Sequence, residues 1–264
     1  MLAVLKRNAE EVAIHAAQLI AGAIRKNPAL RLGMATGNTM VGVYSELVRM
    51  HREQGLDFSR VITFNLDEYL GIGASHPGSL RHFMDEHFFT KVNLAGEHIH
   101  APDGTIGGDY EEYCTSYEQA IRDAGGIDLQ LLGIGRNGHI GFNEPTSSLG
   151  SRTRLKVLDQ PTVADNYKSF GTTEDVPKCA ITVGIGTILE CRKILLLANG
   201  ESKADAILKA IEGPVTSAVP ASALQMHPDV TFLLDEGAAS KLTHKEYYRR
   251  VMEMTELLTP ERLS

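Results

Sequence analysis

The run Lys193-Ile194-Leu195-Leu196-Leu197-Ala198 constrains the fold more than any other segment. It offers no polar face after its first residue, so a strand there must be covered on both sides. The polar segment Asn199-Gly200-Glu201-Ser202 follows it, and then a helical pattern through Ala206, Ile207 and Ala210. The same order recurs along the chain. Residues 30–35 lead into Thr36-Gly37-Asn38-Thr39 and a helical pattern through Tyr44, Leu47, Val48 and His51. Residues 61–66 are β-rich and close on Asp67-Glu68, residues 129–134 break into a glycine-rich loop, and residues 230–234 form the last clear strand. Asn8 with Glu11 three residues later reads as a capping box for a helix to about Lys26, buried along Val12, Ala16, Leu19, Ile20 and Ile24. Further helices are expected over 79–88 and 109–124. Continuous apolar strands separated by amphipathic helices predict an α/β three-layer sandwich, with a mainly parallel sheet and helices on both faces. Ligands of such sheets sit outside the carboxyl ends of the strands.

The chain of 264 residues can bury a sizeable core without disulfides or metals. With no linker, repeat or low-complexity tract, residues 1–264 read as a single domain, with a charged C-terminal helical segment from about Lys241. A formal charge of -7 gives no support to nucleic-acid binding. No apolar run approaches the length of a membrane span. Charges at Lys6, Arg7, Glu10 and Glu11 interrupt any signal-type core. Cys114, Cys179 and Cys191 form no C-x-x-C pair. A reducing cytoplasm is the expected compartment.

Four polar clusters follow expected strands. Thr36-Gly37-Asn38-Thr39 joins a strand to a helix, where free N–H groups and hydroxyls suit a phosphate. It lacks the signatures of a Walker loop or a dinucleotide fingerprint, and an ordinary capped turn would look the same. Asp67-Glu68-Tyr69 offers either a solvated acidic pair or a carboxylate aimed into a cleft as a general base. The third cluster, Gly135-Arg136-Asn137-Gly138-His139-Ile140-Gly141-Phe142-Asn143-Glu144-Pro145, sets a histidine in an irregular glycine-rich path. Glu144 follows closely enough to orient His139 or share its proton. No second His or Cys stands at ligand spacing, so no metal is expected. Lys203, in Glu201-Ser202-Lys203, is either an exposed lysine or a point charge for a phosphate oxygen. Arg152, Arg154 and Lys156 share one face if their stretch is extended, with Ser147 just upstream; that face is a solvated edge or a second anion site.

Phe64-Asn65-Leu66-Asp67-Glu68-Tyr69, Gly138-His139-Ile140-Gly141-Phe142-Asn143-Glu144-Pro145 and Ser151-Arg152-Thr153-Arg154 resemble the signatures of the glucosamine-6-phosphate deaminase family. Val183-Gly184 and Pro220-Ala221-Ser222-Ala223-Leu224-Gln225 fit as well, so the resemblance spans nearly the whole chain in order. It implies a modified Rossmann-like sandwich that turns glucosamine 6-phosphate and water into fructose 6-phosphate and ammonia, without a cofactor. Under it, Asp67 matches the base that moves a proton between C2 and C1. His139 matches the ring-opening acid–base group, with Glu144 and Asn137 as hydrogen-bonded partners. Some members carry Asp at position 137; Asn137 cannot stabilise an imidazolium by charge, so ring opening leans on Glu144. Thr36, Gly37, Asn38, Thr39 and Lys203 match the phosphate site. An arginine used there by some members falls at Tyr167, leaving Lys168 as the nearest cation. Ser147, Arg154 and Lys156 match a subunit-interface site for N-acetylglucosamine 6-phosphate, which favours a homo-oligomer, with a hexamer among its forms.

Two related activities compete, a galactosamine-6-phosphate deaminase and a 6-phosphogluconolactonase. The lactonase needs no base over C2, so Asp67 in its context favours isomerase chemistry. A non-catalytic sugar-phosphate sensor would carry a DNA-reading segment, which is missing here, and would not need the acid–base set at 67, 139 and 144.

Overall fold

The computed structural model describes residues 1–166 and 170–258. The continuous apolar runs occupy the centre of a seven-stranded sheet. In chain order the elements are β1 (Leu2–Lys6), α1 (Ala9–Lys26), β2 (Arg31–Met34), α2 (Asn38–Gln54), β3 (Ile62–Asn65) and β4 (Asp67–Tyr69). Then come α3 (Leu80–His87), β5 (Ile99–His100), α4 (Tyr110–Asp123), β6 (Leu129–Leu132), β7 (Arg154–Val157) and α5 (Gln160–Asn166). The chain continues through β8 (Cys179–Thr182), α6 (Ile185–Leu189), β9 (Lys193–Ala198), α7 (Ala204–Ile211), β10 (Val230–Asp235) and α8 (Lys245–Leu258).

The large sheet runs β1-β10-β9-β6-β2-β3-β5, and every neighbouring pair is parallel. Every residue of β10, and all of β9 after Lys193, is buried, as a strand covered on both faces requires. Helix α1 starts where the capping box puts it: the Asn8 side chain accepts from the Glu11 amide at 2.9 Å. Val12, Ala16, Leu19, Ile20 and Ile24 turn into the core as their spacing predicts. No described helix is long and apolar enough to cross a membrane. From β2 the chain builds outward through β3 to β5; from β6 it builds the other way through β9 to β10. The direction reverses between adjacent β2 and β6, the switch point where such sheets open a crevice at their carboxyl ends.

Two features depart from the sequence reading. Strand β1, unread because it is short and ends in Lys6, forms the outer edge beside β10. A second, antiparallel sheet runs β4-β8-β7 and packs around Tyr69, Phe142, Leu158, Val176 and Ala180. The stretch 61–66 therefore does not simply end at the acidic pair. Leu66 is a joint: its amide donates to Met34 O of the large sheet (3.1 Å), while its carbonyl accepts from Val183 N beside the small one (2.7 Å). The segment from about 241 is helical as expected, and Tyr248 and Met252 of α8 pack against the core.

Candidate active site

The loops after β2 and β6, at the switch point, line one cavity of about 390 Å3 with the loop after β9 and the start of the small sheet. Thr36, Gly37, Asn38 and Thr39 form one wall, with Asn199, Ser202 and Lys203 beside them. Gly37 takes the N-cap position of α2 at φ 103°, a left-handed conformation that glycine adopts without strain. It supplies no capping side chain, so the first amides of α2 lack a side-chain acceptor at this end. Thr39 Oγ1 donates to Asn199 Oδ1 (3.0 Å), tying the two loops together. Behind them the Asp235 carboxyl accepts from Gly200 N at 2.9 Å and from Ala238 N at 2.7 Å. Amide donors and a lysine on one rim suit an anion.

Asp67 and Glu68 separate to opposite faces of β4, and neither is solvated. Glu68 accepts from Tyr69 N (2.8 Å), Ser79 Oγ (2.7 Å), Leu80 N (3.0 Å) and Arg81 N (2.9 Å), so it closes the start of α3. Asp67 lines the cavity, is 8% exposed, and makes no hydrogen bond among the described residues. Burial, and then the nearby Glu68 charge, push its carboxyl up to about 8. A carboxyl in that state is a strong base once it ionises.

His139 reaches the same cavity from the loop after β6. Gly135 gives it room: a Cβ there would meet the imidazole at 2.2 Å. Glu144 sits behind it, 3% exposed, with Oε2 3.4 Å from His139 Nδ1. Burial alone would raise the Glu144 carboxyl, but hydrogen bonds and charge from His139, with Thr162 and Asn137, hold it at about 2. Among the described residues Asn137 makes no hydrogen bond to the ring. Its Nδ2 donates to Glu144 Oε2 (2.9 Å), and its Oδ1 accepts from the backbone amide of His139 (3.1 Å). Thr162 Oγ1 lies 3.5 Å from His139 Nδ1. A permanent carboxylate behind an imidazole fixes the ring and can stabilise a proton on it during turnover.

The remaining sequence candidates divide. Ser147 is buried with its Oγ unpartnered. Arg154 and the half-buried Lys156 alternate along β7 on one face, with exposed Leu155 and Val157 on the other. Arg152 does not join that face. It lies before β7 and pairs with Glu190 at 2.6 Å. Lys168 and Tyr167 lie outside the described residues. Sequence reasoning missed Asn199, Ser202 and Thr162 as cavity residues. Position directly after a fully apolar strand was the available signal for the first two; Thr162, on α5, carried none.

A crevice at a switch point, rimmed by amide donors and lined by a buried carboxyl and a carboxylate-backed imidazole, defines an α/β enzyme built for acid–base chemistry on a small anionic molecule. Residues 5–233 match the family model described as glucosamine-6-phosphate isomerases/6-phosphogluconolactonase, and the chain belongs to that family. It is 50% identical over 258 residues to the glucosamine-6-phosphate deaminase of Shewanella loihica, covering 98% of this chain and 96% of that one. The deaminase of Cellvibrio japonicus is also 50% identical, with 95% of each chain covered. A solved structure described as a monomeric glucosamine-6-phosphate deaminase is 43% identical with a TM-score of 0.89, covering 91% of this chain and 99% of that one. The 6-phosphogluconolactonase from Trypanosoma cruzi shares the fold, with a TM-score of 0.71 at 21% identity over 92% of this chain and 97% of that one.

Proposed function

We propose that this chain acts as one sugar-phosphate domain that converts glucosamine 6-phosphate and water into fructose 6-phosphate and ammonia, in the amino-sugar catabolism of the cytoplasm. The observation that supports this reading best is that Asp67, His139 and the 36–39 loop line one cavity. The phosphate is held at Thr36, Gly37, Asn38 and Thr39 by amides and hydroxyls, with Lys203 as a point charge. His139 exchanges protons with the ring oxygen and the anomeric hydroxyl to open the sugar, and Glu144 and Asn137 keep its ring in place. Ionised Asp67 then takes the C2 proton to give an enolamine and returns it to C1. Water attacks the resulting C2 imine, and ammonia leaves. Each well-placed acid–base group contributes about 10²- to 10⁴-fold in rate.

Ser147, Arg154 and Lys156 belong, in this proposal, to an effector site for N-acetylglucosamine 6-phosphate, in a homo-oligomer with a hexamer among its forms. The buried, unpartnered Ser147 Oγ and Arg154 Nη2 support an anion there. The exposed apolar side of β7, with Val157 67% exposed, supports contact between copies. One relative at 43% identity is described as monomeric, so sedimentation with and without the effector tests the assembly directly. The deciding assay is ammonia release from glucosamine 6-phosphate, its C4 epimer and, as acid release, 6-phosphogluconolactone. Fastest ammonia release from the gluco compound is expected. Lactone hydrolysis without ammonia release would overturn the proposal.

A further inference from the structure

The small sheet carries a row of three side chains, of which the reaction steps above use only Asp67. Asp67 of β4 stands opposite Thr182 of β8, and Thr182 stands opposite Arg154 of β7. Directly opposed residues of neighbouring strands project to the same face, so Asp67, Thr182 and Arg154 form one line across the sheet. Against that line lies the loop 141–143, residue by residue. A Cβ on Gly141 would stand 3.0 Å from Thr182 Oγ1 and 3.4 Å from Asp67 Oδ2. Phe142 N donates to Thr182 Oγ1 at 3.0 Å. Asn143 Oδ1 accepts from Arg154 Nη1 at 2.9 Å. Asn143 Nδ2 in turn donates to Ile140 O (2.9 Å) and Val183 O (2.8 Å), which closes the turn between His139 and Glu144.

Arg154 is an uneconomical strut. It forms no ion pair with a carboxylate among the described residues, and its Nη2 is buried without a hydrogen-bond partner. A half-buried cation without a counter-charge is costly in free energy, and an apolar side chain could pack there at less cost. What an apolar side chain could not do is donate to Asn143.

We infer that Thr182 and Arg154 are positioning residues, which hold the 139–144 loop in register against Asp67 so that the base and the His139–Glu144 pair keep a fixed separation over the substrate. The inference rests on the roles given above to those three residues, and it concerns the enzyme without effector. A shift of about 1 Å in such a separation costs on the order of 100-fold in rate.

The test uses the full chain without effector, with Arg154→Met, Thr182→Val and the double variant, each matched to wild type by circular dichroism and melting. Each single change is expected to lower kcat for ammonia release by roughly 10- to 100-fold with KM within about threefold, and to move an apparent pKa of the kcat–pH profile by about half a unit or more. The double variant is expected to lose little more than either single one, because both act through one loop. Arg154→Lys keeps a donor for Asn143 and is expected to recover much of the loss, and it carries the test should Arg154→Met fail to fold. Unchanged kcat in Arg154→Met and Thr182→Val, losses confined to KM, or multiplying losses would overturn the inference. If wild type itself releases no ammonia, the functional reading fails; if it does and the variants match it, only the inference fails.

Discussion

Asp67 and Asp128 are the same side chain placed at opposite ends of one scaffold. Asp128, just before β6, receives Arg31 on both oxygens at 2.6 and 2.8 Å and is also paired with Arg192. Those hydrogen bonds outweigh its partial burial and lower its pKa. Asp67, by the carboxyl ends, receives no hydrogen bond among the described residues, and burial drives it the other way, up to about 8. Asp128 is satisfied by its neighbours, whereas Asp67, unlike the well-bonded Glu68 and Glu144 near it, is left without a hydrogen-bond partner among the described residues. A carboxylate kept for stability is surrounded by donors; one kept for proton transfer is left with an empty face toward the substrate.

The largest break in that comparison is Asp67→Asn. In the proposed reaction it removes the C2 base, and kcat is expected to fall by about 10³- to 10⁴-fold in an ammonia-release assay. Stability should move in the opposite direction. The fold holds a proton on Asp67 that the unfolded chain releases above its ordinary value of 3.8, so wild type loses stability as pH climbs from about 4 to about 8. The variant has no such proton, and its melting advantage over wild type should grow across that window, on the order of 5 °C by pH 9. Free-enzyme kcat/KM should rise with pH toward an apparent pKa near 8. A profile flat from pH 6 to 9 would contradict the unsatisfied state of Asp67.

Glu144→Gln comes next. The carboxyl held at about 2 remains an anion throughout the working range, so the variant deletes a charge rather than a proton. A loss in kcat of about 100-fold is expected, with little change in KM. The sign for stability is opposite to that of Asp67. Glu144 contributes fully above its ordinary 4.5 and loses its contribution as pH falls toward about 2. Denaturant titrations should therefore separate wild type from Glu144→Gln more widely at pH 7 than at pH 3.

Asp128→Asn sharpens the comparison from the other end. Arg31 and Arg192 lose their common counter-charge and one of its two acceptor oxygens, and a loss of about 2 kcal/mol is expected, reduced from the cost of breaking a fully buried pair because Arg192 is over half exposed. Activity at a temperature well below the transition should match wild type. A fall in kcat with no fall in melting temperature would erase the distinction between the two ends.

The same division explains what could be read from the chain. Strand β9 announced itself because it is apolar after Lys193, and the 36–39 and 135–145 loops were visible as what interrupts such strands. The sheet β4-β8-β7 was hidden because its strands have three or four residues, no continuous apolar run, and partners far away in sequence. No glycine or proline marks the crossing at Leu66, so β3 and β4 look like one strand. Glu68 could not be told from Asp67 by local pattern; what separates them is the start of α3 arriving from residues 79–81. Likewise Asn137 was expected as a hydrogen-bonded partner of His139; its Oδ1 accepts from the His139 backbone amide, while its Nδ2 holds the Glu144 carboxyl. Position in a loop predicts that a side chain reaches the site, not which atom it will meet there.

The smallest effect expected belongs to the rim where the donors are spread over many groups. Lys203 lines the cavity with Ser202 and Asn199, beside the 36–39 loop. If it holds the phosphate as one charge among several donors, Lys203→Met should raise KM for glucosamine 6-phosphate about tenfold and leave kcat within about threefold. The control is a substrate that cannot make the contact. Glucosamine without its phosphate should be turned over equally slowly by wild type and variant, because the group that distinguishes them is gone. A tenfold difference that persists with unphosphorylated glucosamine would mean that Lys203 acts on the sugar or on the fold. The carboxyl end would then hold a fourth group participating in the chemistry rather than a passive cradle.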